Sequence, residues 1–206
     1  MLRFVAVVLL NPKHTRKSVL IAGTAVFSAL VAAVEYLSRV LPILRFSFIP
    51  PVNYLMFDLA EIPAFLSFFV FGLPVGTMTS LMVPLIIIAR GTRDPLGAVI
   101  KGLAVFSTMV GFAPLARRSR WLAGVSGLAV RVLAMGAING LILPILLPQQ
   151  YNAELLVQAL SAVFNGLHAV LTIGGAYIIY WKMPKRILGA EVSGGERGRM
   201  AELPPR

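Results

Sequence analysis

The sequence predicts an all-α membrane protein with six transmembrane helices and a long outer loop between the first two. Composition is the first reason. Of 206 residues, 58% are hydrophobic and only 13% charged, against about half and about a quarter in a soluble domain. Mean hydropathy is +0.84. The second reason is spacing: apolar runs close to the ~20 residues that cross a bilayer alternate with short basic or Pro/Gly turns. The third is where the charge falls. The formal charge is +11, but the basic residues sit between apolar runs and at the ends. They read as topology signals and not as a nucleic-acid surface. With no cysteine, disulfides, thiol catalysis and Cys-ligated metals are excluded.

Three regions follow. Residues 1–17 form a cytoplasmic or interfacial segment, residues 18–182 the six-helix domain, and residues 183–206 a polar tail predicted to be disordered. Met1 to Pro12 is apolar but shorter than a span, and no small-residue cleavage site follows it. The first helix is expected over Ser18–Leu41, entered from Lys13, Arg16 and Lys17. Pro42–Phe57 is too rich in Pro and Asn to span, although Ile43–Phe48 could pair briefly as strand. Leu59–Leu73 is short for a span. Val75–Arg90 contains Pro84, which predicts a kink. Gly97–Ala116, Leu122–Leu147 and Ala153–Trp181 complete the set.

An even number of spans puts both termini on one side. The N-terminal segment carries four Lys or Arg, the loop between helices four and five three, and the segment from Lys182 six. The positive-inside rule therefore predicts a multi-pass protein of the cell membrane with both termini cytoplasmic. Tyr180 and Trp181 then fall near the inner interface.

Several polar or small residues break the apolar runs. Ala25, Ala29 and Ala33 are four apart and share one face of the first helix, where small side chains let another helix approach, in this chain or in a partner. Glu35 and Arg39 can pair locally. Asp58-Leu-Ala-Glu61 matches a capping box, with Asp58 accepting from the amide of Glu61 and Glu61 reaching back to that of Asp58. On the sixth helix Gln158, Ser161, Asn165, His168 and Thr172 form one polar stripe, and Asn139 lies at similar depth on the fifth. Polar groups there face the bundle interior or a cavity, as interhelical hydrogen bonds or as a ligand pocket. Lys101 could place a cation at the pocket mouth or snorkel to the surface. Arg131 is expected to snorkel or face a partner near the inner side.

Absences narrow the function. There is no P-loop, so the chain itself cannot hold ATP by one. His14 and His168 are the only histidines, and no metal site is expected. No nucleophile motif surrounds a serine. An intramembrane enzyme using Asp58, Glu61 and His168 remains an alternative, and requires those three to converge within hydrogen-bond reach, directly or through one water.

Phe57-Asp58-x-x-Glu61-Ile62-Pro63-Ala64, followed by Phe71-Gly72-x-Pro74-x-Gly76, resembles the loop and second helix of the substrate-binding S components of energy-coupling-factor (ECF) vitamin transporters, and among them the riboflavin-specific group. Asn139 with Leu143-Pro144, and Asn165-Gly-Leu-His168, are similar to that group's flavin-contacting positions. The likeness covers Ser18 to Lys182. It departs at His168, where the group has Lys, at Pro84, where it tends to have a polar or basic residue, and at Lys101, near an expected Asn. The resemblance implies a non-enzymatic subunit, without cofactor, that binds a vitamin from outside. The vitamin would be riboflavin, a related flavin or another. The partners implied are a transmembrane coupling subunit and two ATP-binding-cassette ATPases. It further implies that Asn139, Asn165 and His168, with Lys101, Ser161 and Thr172 around them, contact the ligand. The outer loop would cover the site, and Ala25, Ala29 and Ala33 would face the coupling subunit.

Overall fold

The computed structural model describes residues 17–41, 43, 45–46, 56–92, 94–146 and 154–184. The expectations for the N-terminal segment, most of the outer loop and the C-terminal tail lie outside these residues. Among these residues there are six α-helices: α1 (Lys17–Leu37), α2 (Glu61–Phe71), α3 (Leu73–Ala89), α4 (Pro95–Phe112), α5 (Arg120–Leu146) and α6 (Glu154–Lys182). A 3₁₀ turn over Ala113–Leu115 ends α4. Four helices, α1, α4, α5 and α6, are long and apolar enough to cross a membrane, whereas α2 and α3 are shorter apolar helices.

The helix ends have local causes. α1 stops four residues before its predicted end because its hydrogen bonds tighten there: Arg39 N bonds to Tyr36 O and Val40 N to Leu37 O. α4 starts at Asp94, whose side chain accepts from Gly97 N at 2.7 Å, with Pro95 in the first turn. α2 and α3 meet at Gly72, with φ 82° and ψ −174°. That backbone region is essentially reserved for glycine. Pro84 does lie inside α3. Its ring and the carbonyl of Ser80 pack so closely on Gly102 of α4 that a methyl group at Gly102 would meet both at about 3 Å.

α2 is the hub. At 11 residues it spans only ~16 Å. Ala64 through Val70 are all buried, as expected of a helix apolar on every side. It packs against α1, α3, α4 and α6. Phe65, Phe68 and Phe69 enclose Phe112 of α4, with ring centroids 5.4–5.8 Å apart, and Phe69 also meets Tyr180 of α6. Hydroxyls inside these helices bond back to their own turns, as in Ser67 Oγ to Ala64 O at 2.6 Å. α4 and α5 close on each other through Gly111 and Gly127, where an added methyl would strike Val130 and the Thr108 carbonyl.

The predicted strand propensity before α2 is realised as a short hairpin. β1 (Arg45–Phe46) pairs antiparallel with β2 (Phe57–Asp58), with Arg45 opposite Asp58 and Phe46 opposite Phe57. Phe57 is buried, and its ring sits edge-on to Phe164 of α6 at 4.7 Å. The hairpin is thereby held against the same helix that carries the polar stripe.

Candidate functional site

A cavity of about 390 Å³ opens between β2, α2, α4, α5 and α6. That volume lies in the range of small-molecule pockets. α5 contributes Arg131, Met135, Asn139 and Ile142, and α6 contributes Phe164, Asn165 and His168. α4 supplies Ala98, Lys101 and Ala104, with Asp58 and Glu61 closing the hairpin side. Of the sequence-predicted ligand contacts, Asn139, Asn165, His168 and Lys101 line this cavity. Ser161 and Thr172 do not. Ser161 accepts from Asn139 Nδ2 at 2.6 Å, and Thr172 donates to Glu61 Oε2 at 3.1 Å. Both lie behind the wall and hold its first layer.

The polar stripe of α6 is thus both hydrogen-bonded and cavity-lining. Asn165 Nδ2 donates to Ser161 O at 2.9 Å, while its Oδ1 accepts from Arg131 Nε at 3.3 Å. His168 is 2% exposed. Its Nε2 lies 3.1 Å from Asp58 O, 3.4 Å from Asp58 N and 3.7 Å from Glu61 Oε2. Its Nδ1 is buried with no hydrogen-bond partner among the described residues.

The acids at the start of α2 do not form a capping box. Asp58 Oδ1 accepts from Ala60 N at 2.7 Å, and no side chain caps the helix. Glu61 turns away from Asp58 because a guanidinium offers more than a single amide. Arg131 grips it with two bonds, Nη1 to Oε2 at 2.6 Å and Nη2 to Oε1 at 3.2 Å. Arg131 is correspondingly 1% exposed, not snorkelling or facing a partner. Glu35 does not pair with Arg39 either. It is fully buried and takes Arg90 and Lys101, while Arg39 donates to the carbonyl of Arg90. Lys101, expected at the pocket mouth, bridges Glu35 and Asp58, the latter at 2.6 Å. Burial raises the pKa of the Asp58 carboxyl, but the adjacent Lys101 ammonium and the Ala60 amide outweigh it and leave the pKa lowered.

Sequence reasoning missed Glu35, Arg90 and Arg131 as parts of the site. The signal was periodicity: Glu35 continues the buried row of Phe27 and Val31, and Arg131 lies between buried Gly127 and Met135. A charge on the inward face of an apolar helix needs a counter-ion inside the bundle.

Asp58, Glu61 and His168 lie side by side, although His168 Nε2 is 3.7 Å from the Glu61 carboxylate, beyond the direct hydrogen-bond reach of the enzyme alternative. Their geometry is not that of a general base. His168 meets Asp58 through the backbone, and each carboxylate is neutralised by a cation. Elsewhere, Ala25, Ala29 and Ala33 are all exposed along α1, so none of the described residues packs over the alanine face.

No family model matches the chain, and no curated protein matches its sequence. The fold, by contrast, is similar to a solved structure, the S component of a bacterial ECF transporter, with a TM-score of 0.63 over 81% of this chain and 96% of that one. Sequence identity is 17%, and the likeness is one of fold: the two chains share an architecture.

Proposed function

We propose that this chain is the substrate-binding S component of an ECF-type importer. It takes a vitamin, riboflavin or a related flavin, from outside and passes it inward with energy from partner ATPases. The observation that carries this reading is the cavity walled by Asn139, Asn165 and His168 within an S-component fold. Two of its polar side chains, Asn139 and Asn165, are already oriented by Ser161 behind them, so binding would cost little reorganisation. The exposed row Ala25, Ala29 and Ala33 is the face proposed to dock a transmembrane coupling subunit, whose two ATPases would supply the work. Both termini are proposed to be cytoplasmic, from the distribution of Lys and Arg.

The second reading, an intramembrane enzyme, is favoured only by the proximity of Asp58, Glu61 and His168. Against it, a carboxylate gripped by two guanidinium bonds is a poor proton acceptor.

Absorbance titration of the purified chain with riboflavin tests the main reading. Saturable binding with a shifted flavin band is expected. Asn165→Ala should then weaken binding by roughly tenfold, the loss of one or two ligand hydrogen bonds, while membrane insertion is kept. Unchanged affinity would remove Asn165 from the pocket, and absence of flavin binding would remove riboflavin.

A further inference from the structure

We infer that the cavity selects a ligand with no net charge and rejects anionic or cationic relatives of similar shape. This rests on the cavity being a ligand site, as proposed above.

The ground is charge balance. Among the described residues, the cations Arg90, Lys101 and Arg131 line the cavity, facing the carboxylates Glu35, Asp58 and Glu61. Every one of these six is engaged: Arg90 with Glu35, Lys101 with Glu35 and Asp58, Arg131 with Glu61. The buried wall sums to zero. Asp94 adds a further carboxylate at the rim, but it is exposed and accepts from Gly97 N at 2.7 Å. An anion entering the cavity would have to draw a cation off its buried carboxylate and leave that carboxylate unpaired, which is strongly unfavourable. A cation would strand a guanidinium or ammonium in the same way. An uncharged molecule disturbs none of the pairs.

His168 adds no charge to this wall as a neutral imidazole whose Nε2–H donates to the Asp58 carbonyl at 3.1 Å, whereas lysine at this position would add an uncompensated cation.

The test is calorimetric titration of the purified full chain with five probes: riboflavin and nicotinamide (uncharged), riboflavin 5′-phosphate and biotin (anionic), and thiamine (cationic). The expected result is binding of an uncharged probe, with the 5′-phosphate weaker than riboflavin by about a hundredfold. Asp58→Asn keeps Lys101 on Glu35 but leaves one positive charge in excess. It should narrow the gap between riboflavin and its 5′-phosphate by about tenfold. Glu35→Gln, which keeps Lys101 on Asp58, should do the same and serves if the first variant does not fold. Equal binding of riboflavin and its 5′-phosphate overturns the inference and leaves the riboflavin reading standing. Binding of biotin or thiamine alone overturns it and leaves the transport subunit standing. Nicotinamide binding without riboflavin upholds neutrality and removes riboflavin. No binding by any probe sinks both.

Discussion

The first and last turns of α2 lie in opposite surroundings. At its start, Glu61 sits in an ionic layer where Arg131, Thr172 and His168 converge. Further along, Phe65, Phe68 and Phe69 are packed into a wholly apolar cluster with Phe112. The ionic end holds position through a few directional bonds between residues far apart in sequence. The aromatic end does so through many weak, non-directional contacts. In lipid this difference matters, because apolar side chains gain no hydrophobic driving force from leaving the bilayer and only packing remains. The cavity belongs to the ionic end, where directional groups are available, and the aromatic end serves as its footing.

The largest effect is expected from breaking the ionic end on one side only. Arg131→Met strands Glu61 in the bundle and should destabilise the fold by about 3–5 kcal/mol, read as a lower midpoint of thermal unfolding in detergent. Adding Glu61→Gln to it should recover most of the loss, because the stranded charge and not the lost bridge carries the cost. If the double variant is no better than the single, the pair contributes net attraction and the contrast between the ends narrows. An intermediate effect is expected at the aromatic end. Phe65→Ala removes three ring contacts at 5.0–5.7 Å and should cost about 1–3 kcal/mol, less than in a soluble core because the unfolded reference is also apolar. The smallest effect on stability is expected outside both ends. Ala29→Leu lies on the exposed face of α1 and should shift stability by less than about 0.5 kcal/mol. Co-purification with the proposed coupling subunit should nonetheless be lost. A large stability change would mean that this face packs within the chain.

Much of this was legible because local pattern carries it. Each of the six helices falls where the apolar runs lie, since a membrane helix satisfies its own backbone and needs no distant partner. The strand tendency near Arg45–Phe46 and the α6 stripe were readable for the same reason. The ion pairs were not. Glu61 looked like a cap because Asp58 lies three residues away, whereas its partner Arg131 lies 70 residues away. Glu35 looked paired with Arg39 by helical spacing, yet its face follows Phe27 and Val31 inward. Local rules assign each acid its nearest plausible partner, but the fold offered a stronger one. Residues singled out on α4, α5 and α6 therefore line the cavity, while the charges that α1 and the end of α3 bring to it stayed hidden.

The pairing of Glu61 with Arg131 also has a consequence in time. Synthesis runs from the N-terminus, so Glu61 is made 70 residues before its counter-ion. At about 5–20 residues per second that is an interval of seconds, long compared with helix formation. Throughout it the apolar part of α2 can enter the membrane, but its acidic first turn has no cation on α5 to receive it. The acidic first turn of the short central helix therefore waits for α5, and the cavity, which also needs Phe164, Asn165 and His168, is complete only once α6 has been made.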